Sequence, residues 1–260
     1  MIGFEQLMPH WTEVRENRAF VSEIKFLVPL STAAEIRDWA RARLRPDPFG
    51  EGACHDYYRT TSLYYDTLDY DVLNRRGSYA RSKYRIRRYG QAADLFLERK
   101  LKKHDLVSKR RSIIALSDLH RLDGIDPVRG WPGFWFHRRI VARDLQVACQ
   151  ISYHRTARLG SSQHGSIRLT IDEGAAVHPS TRLSFQMSPV GLPLTPNRAI
   201  LELKYHVEVP EIFRELIDSF ALVPEPVSKY RLAMTALGAD QLPHCVPPPP
   251  AERVFHAHEV

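Results

Sequence analysis

Ser166-Ile-Arg-Leu-Thr-Ile-Asp172 alternates without a break: Ile167, Leu169 and Ile171 fall on one side, Arg168, Thr170 and Asp172 on the other. Successive side chains of a strand project to opposite faces, so the segment offers one apolar face and one polar, charged face. The pattern recurs in Phe20–Val28, where Ile24, Phe26 and Val28 oppose Glu23 and Lys25, and again in Lys83–Tyr89, Leu95–Leu101 and Ile200–Tyr205. One such strand is a surface strand. Several, carrying Glu-x-Lys and Arg-x-Arg, predict a charged surface that the strands build together.

Around these strands the bulk numbers set limits. With 260 residues, 43% of them hydrophobic, the chain can bury a core in one large domain. A formal charge of +7 and a pI near 9.4 predict an anionic partner, without choosing among nucleic acid, nucleotide, polyphosphate and a membrane surface. Cys54, Cys149 and Cys245 are isolated and odd in number, which argues against a disulfide framework or thiolate zinc site and fits a reducing compartment. No apolar run approaches the ~18 residues of a spanning helix, and the N-terminus lacks the basic-then-apolar order of a secretory signal, so no membrane insertion and a cytoplasmic location are expected.

Residues 1–18 read as a polar lead-in, 19–238 as one domain, and 239–260, with four consecutive prolines, as a disordered tail. Thr32-Ala-Ala-Glu35 has the form of a capping box ahead of a helix carrying Ile36, Trp39, Ala40 and Leu44. Tyr57–Asp66 reads as a strand, 81–89 and 94–103 as a hairpin, 109–116 as a further strand, and 117–145 as interrupted helix. Strands near 147–157, 166–173 and 199–207 follow, then helices at 211–220 and 228–237. The expected fold is α+β: an eight-stranded antiparallel sheet, curled into a closed tunnel around its charged faces, with helices packed on the apolar outside. A closed sheet of about eight strands has room inside for side chains or one small ligand.

The bland reading of a charged strand face is that it meets water. It weakens here because cations dominate the faces: Lys25, Lys83, Arg85, Arg87, Lys100, Lys102, Arg155, Arg168 and Lys204. Like charges this dense repel unless an anion binds, and guanidinium forks match phosphate oxygens. Glu23, Glu98 and Glu202 each stand two residues before a Lys, so each shares a face with it. These carboxylates either hold the cations in place by ion pairing or hold a divalent metal that bridges phosphates. A nucleic-acid partner is not expected, because the opposite faces of the basic strands are aliphatic and need cover. The aromatic run Trp131, Phe134, Trp135, Phe136 reads as core.

These residues together resemble the VTC (vacuolar transporter chaperone) domain, the catalytic domain of eukaryotic polyphosphate polymerases, which also occurs as a stand-alone bacterial protein. It belongs with the CYTH phosphohydrolases to the triphosphate tunnel superfamily. The matching segments run in order: Arg18-x4-Glu23-Ile-Lys25-Phe, Ser62-Leu-Tyr-Tyr-Asp-Thr67, Lys83-Tyr-Arg-Ile-Arg-Arg-Tyr-Gly90, Glu98-x-Lys100, Lys109-Arg-Arg111, Tyr153-x-Arg155, Arg168–Asp172, Ile200-Leu-Glu-Leu-Lys204 and Ser228-Lys-Tyr230. The resemblance implies an eight-strand tunnel that holds the phosphates of ATP, with Mn²⁺ or Mg²⁺. It implies phosphate contacts from Lys25, Arg85, Arg87, Lys100, Arg155, Arg168 and Lys229, with Lys83, Tyr153, Lys204, Ser228 and Arg76 (or its neighbour Arg75) assisting. Glu202 would be the metal ligand, with Glu23 and Glu98 as further candidates. Lys102 stands where the eukaryotic domain has a His.

The activity so implied is transfer of the γ-phosphoryl group of ATP to inorganic polyphosphate. Such chemistry needs positioning and charge neutralisation more than a protein nucleophile. A phosphohydrolase of the same fold, and a non-catalytic polyphosphate-binding module, remain open alternatives at this point.

Overall fold

The structure, a computed structural model, describes residues 14–18, 21–48, 50, 52–103, 106–186 and 190–239; for 14–18, 21, 102–103 and 106–108 it describes the backbone only. The prolyl tail, His104 and the side chain of Lys102 therefore lie outside the described residues.

Nine strands form one antiparallel ladder. In chain order they are β1 (Val14–Arg18), β2 (Val21–Pro29), β4 (Tyr57–Asp66), β5 (Ser82–Tyr89), β6 (Asp94–Lys103), β7 (Leu106–Ala115), β8 (Gln146–Ser162), β9 (Gly165–Pro179) and β11 (Arg198–His206). Their spatial order is β1-β7-β6-β5-β4-β8-β9-β11-β2. Two short strands sit off this path: β3 (Arg45–Pro46) pairs with β8 and β10 (Leu192–Pro193) with β9. Among the described residues the sheet thus has eleven strands rather than the expected eight. It is also not closed by hydrogen bonds: β1 pairs with β7 and β2 with β11, and no ladder joins β1 to β2 among the described residues. The sequence hides β1 because Val14-Arg-Glu-Asn-Arg18 is polar at nearly every position and shows no alternation.

The sheet nevertheless curls, since residues far apart in strand order meet. Glu23 on β2 lies 3.8 Å from the Lys100 ammonium on β6, although five strands separate them along the ladder. The charged faces therefore line a concave interior. The opposite faces are buried under helices, as their alternation predicts. Phe26, Leu169, Ile171, Leu201 and Leu203 pack with Ile36 and Ala40 of α1 (Leu30–Arg43) and with Phe213 and Leu216 of α3 (Glu211–Ser219). Leu63, Tyr65, Ile86 and Leu97 pack with Trp135, Phe136 and Ile140 of α2 (Phe134–Val141). Residues such as Leu169, Leu201 and Phe136 are wholly buried, each worth about 1.5–3 kcal/mol against exposure.

Two helix details depart from the sequence reading. Helix α1 begins at Leu30 behind Pro29, so Thr32 lies inside the first turn and caps nothing. The fourth helix, α4 (Lys229–Ala236), is not an outer helix at its start. Its Tyr230 ring stacks on Tyr64 at 5.4 Å, and Ser228 and Lys229 face the concave interior. The Tyr230 hydroxyl donates to Asp66, which also accepts from the backbone amides of Thr67, Val72 and Leu73. That junction ties the α4 start to the loop following β4.

Candidate active site in the concave interior

Strand register decides which charges meet. Pairing of β2 with β11 sets Lys25 opposite Glu202 and Glu23 opposite Lys204. Pairing of β5, β6 and β7 sets Lys83 beside Lys100, and Arg85 beside Glu98 beside Arg111. Pairing of β8 with β9 sets Arg155 opposite Asp172. Each carboxylate is placed within a group of cations that outnumbers it.

The first group gathers Glu23, Glu202, Lys25, Lys204 and Lys100. The Lys25 ammonium is 2.7 Å from Glu23 and 3.7 Å from Glu202; Lys204 is 3.5 Å from Glu23 and also pairs with Glu202. Burial works against ionisation of Glu202, but Lys204 and Lys25 outweigh it and hold the carboxyl well below the usual range. For Glu23, burial and the neighbouring Glu202 charge both push upward, yet the three lysines still bring it below its ordinary value. Burial lowers Lys25 less than Glu202 and Glu23 raise it.

The second group centres on Glu98, which is wholly enclosed. It accepts from Arg85 at 2.6 Å and pairs with Arg111, with Lys109 at 3.4 Å and Arg87 at 4.0 Å. Burial would raise its carboxyl, but Arg85, Arg87, Lys109 and Arg111 hold it far below the carboxylate range. Arg87 donates to Ser62 and to the Tyr153 hydroxyl, each at 3.2 Å, and Arg85 donates to the Tyr64 hydroxyl.

The third group holds Asp172, Arg155 and Lys229. Arg155 grips Asp172 with two hydrogen bonds of 2.6 and 2.7 Å, and Lys229 reaches it at 2.5 Å while lying over the Tyr153 ring. Against its burial, Arg155 and then Lys229 hold Asp172 down to about 2. Lys83 donates to Ser228, whose hydroxyl also accepts from the Arg231 amide as the α4 cap, and Lys25 donates to the Val227 carbonyl. The segment before α4 thereby bridges two walls of the interior.

The structure brings Lys25, Lys83, Arg85, Arg87, Lys100, Tyr153, Arg155, Lys204, Ser228 and Lys229 onto this one surface. Arg168 lies at its margin, bonded to Asp47 and the Tyr58 hydroxyl. Arg76 turns to its own loop, contacting Asp71 and the Asp69 carbonyl, whereas its neighbour Arg75 lines a cavity with Ser82, Lys83, Ser228 and Arg231. Sequence reasoning missed two partners: Tyr64, whose signal is only an extra aromatic in a Tyr-rich strand, and Arg111 as a direct partner of Glu98. Arg111 is marked by its spacing from Lys109 alone.

The carboxylates proposed as metal ligands do not form one group. Among the described residues no set of three or more His, Cys, Asp or Glu converges. Glu98 is separately enclosed by its four cations. Glu23 and Glu202 do fit an ion: they stand on adjacent strands, repel one another and share two lysines. Mg²⁺ and similar hard cations commonly take one or two carboxylates and complete their shell with phosphate oxygens and water.

Two lysines give a pH signature. Burial lowers Lys83 to about 8, helped by Lys25, Lys100 and Arg75, and lowers Lys109 to about 8, helped by Arg111 and Arg85. Both lie below the ~10.4 of an unfolded lysine, so the unfolded chain binds more protons between these values. Raising the pH from about 7 to about 9.5 should therefore stabilise the ligand-free protein while weakening its binding of inorganic tripolyphosphate. Melting curves and calorimetric titration across that range check the opposite signs; an affinity flat with pH would remove both lysines from the ligand's surroundings.

A family model described as the VTC domain matches residues 20–238. Among solved structures, a proposed adenylate cyclase from Bacillus halodurans shares the fold at 16% identity and a TM-score of 0.52, covering 82% of this chain and 96% of its own. A proposed adenylyl cyclase from Hippeastrum, described as having a dominant triphosphatase activity, is 14% identical with a TM-score of 0.45, covering 87% of this chain and 99% of its own. No curated protein matches the chain. No helix among the described residues is long and apolar enough to cross a membrane.

Proposed function

The chain belongs to the VTC domain family, and on that premise we propose that it is an ATP-dependent polyphosphate polymerase working inside its concave basic face. The observation that carries the reading is the convergence of Arg85, Arg87, Arg155, Lys25, Lys100 and Lys229 on one interior surface. A row of linked phosphates is the ligand that answers such a row of cations.

Arg85, Arg87 and Arg155 bind the ATP phosphates, and Lys25, Lys100 and Lys204 hold the γ-phosphoryl group against the end of the polyphosphate chain. Their ion pairs with Glu98, Asp172, Glu23 and Glu202 fix the cations before the ligand arrives, so little reorganisation accompanies the reaction. A terminal oxygen of the chain attacks the γ-phosphorus; the bond from that phosphorus to the β–γ bridging oxygen breaks, and ADP leaves with the electron pair. The attacking phosphate is already ionised near neutral pH, so no strong general base is needed. Glu202 and Glu23 would hold the divalent ion, Mn²⁺ or Mg²⁺, which when bound draws negative charge from the phosphate oxygens.

Hydrolysis is the rival reading, in which a carboxylate of the interior, Glu23, Glu98 or Asp172, orients the attacking water. Incubation with ATP and Mn²⁺ separates the two. Polymerase action yields ADP and a ladder of long chains on a gel; orthophosphate without polymer makes the protein a phosphohydrolase, and tight tripolyphosphate binding without turnover makes it a binding module.

A further inference from the structure

The interior is not uniform along its length. Around Glu23 and Glu202 it is lined by lysines alone, and around Glu98 and Asp172 chiefly by arginines, joined by Lys109 and Lys229. Beyond Arg87 its lining turns aromatic. Tyr58 on β4 meets Tyr89 on β5 edge-on at 5.5 Å, and Tyr89 meets Phe96 on β6 at 5.1 Å. Arg87 lies over the Tyr89 ring at 5.8 Å and Arg111 over the Phe96 ring at 4.7 Å. Tyr89 and Phe96 flank the β5–β6 turn, where Gly90 adopts a left-handed φ of 49° to reverse the chain. This is an end of the interior and not its middle: Tyr89 and Phe96 are only half-buried, and the side chains of Arg111, over Phe96, and of Arg168, bonded to Tyr58, are 30% and 36% exposed. Polyphosphate has nothing to offer such a surface. A purine has, because rings and guanidinium planes stack on any base, at about 1–3 kcal/mol per base.

We propose that the Tyr89–Phe96 end, backed by the buried Tyr58 ring, is the nucleoside subsite, stacking the base of the nucleotide while its triphosphate runs past Arg87 and Arg85 toward Lys25. The inference rests on the polymerase reading of the same interior and adds a direction to it. Donor nucleotide occupies the aromatic end, and acceptor chain approaches from the lysine end. Burial raises the Tyr89 hydroxyl less than Arg87 and Arg111 lower it, to about 8, so the hydroxyl also helps hold both guanidiniums beside the rings.

The test compares ATP with inorganic tripolyphosphate by calorimetric titration, using the wild-type chain and Phe96→Leu, with melting curves as a check on folding. Leucine keeps apolar volume and removes the π face. The expected result is a roughly 5- to 150-fold loss of ATP affinity, the fold-change of the stacking range above, with tripolyphosphate affinity changed less than about twofold. Equal loss for both ligands in the folded variant, or no loss for either, overturns the proposal and leaves the rings as packing. Wild-type protein that binds neither ligand would sink the polymerase reading itself. Wild-type protein that binds tripolyphosphate as tightly as ATP would sink only the subsite.

Discussion

Replacing Glu202 with Gln should lower metal-dependent turnover of ATP by at least ~10²-fold, the cost typical of removing one charged or polar group aimed at a developing phosphoryl charge. Glu202 is buried on β11 with Lys25 facing it across the β2 ladder, and its carboxylate is held ionised by Lys204 and Lys25. Glutamine preserves the shape and one acceptor but removes the charge that a divalent ion needs. The fold should survive, because the outer face of β11 keeps Leu201 and Leu203 in the core with Phe213 and Leu216, and Lys25 and Lys204 keep Glu23 as a partner. ADP release, Mn²⁺ affinity by titration and a melting curve measure the three expectations. Turnover within about threefold of wild type would place the ion elsewhere.

Glu98→Gln should have the larger effect on stability and the opposite effect on ligand. Here one enclosed carboxylate neutralises Arg85, Arg87, Lys109 and Arg111 together. Removing one member of a buried ionic group costs about 3–5 kcal/mol, since the remaining charges stay buried without compensation. For a domain of this size each kcal/mol shifts the melting temperature by roughly 2–4 °C, so a fall of about 6–20 °C is expected. Added tripolyphosphate should recover more of that loss than it adds to wild type, because it supplies the missing negative charge to the same cations. Mn²⁺ affinity should stay unchanged, which separates this role from metal ligation. A variant that melts with wild type, or that tripolyphosphate fails to rescue, would show the cations to be satisfied without Glu98.

Alternation located β2, β5, β6, β9 and β11, because each has a continuous apolar face that must be covered and a polar face that must not be. Register, by contrast, was invisible: nothing in Glu98-x-Lys100 announces that Glu98 will meet Arg111 of the next strand instead of its own Lys100. The Glu-x-Lys spacing alone therefore could not tell the three carboxylates apart, because their neighbours across the ladder differ. Strand β1 escaped because it lacks an apolar face, and Tyr64 escaped because Tyr is as common in cores as at sites. Ser228 was found through the family resemblance; its double engagement with Lys83 and the α4 amide needed the fold.

The seam between β1 and β2 has a mechanical consequence. The two strands stand at opposite ends of the ladder yet follow one another in the chain, so the barrel is a split ring whose ends share a covalent tether. Widening a fully laddered barrel would rupture a row of backbone hydrogen bonds, each worth about 0.5–1.5 kcal/mol net. Widening this ring strains contacts across the bore, such as Glu23 with Lys100, which is 52% exposed and so open to screening by salt. The bore can therefore flex to follow a guest of changing girth without breaking a ladder, with ionic strength setting how stiffly it does so.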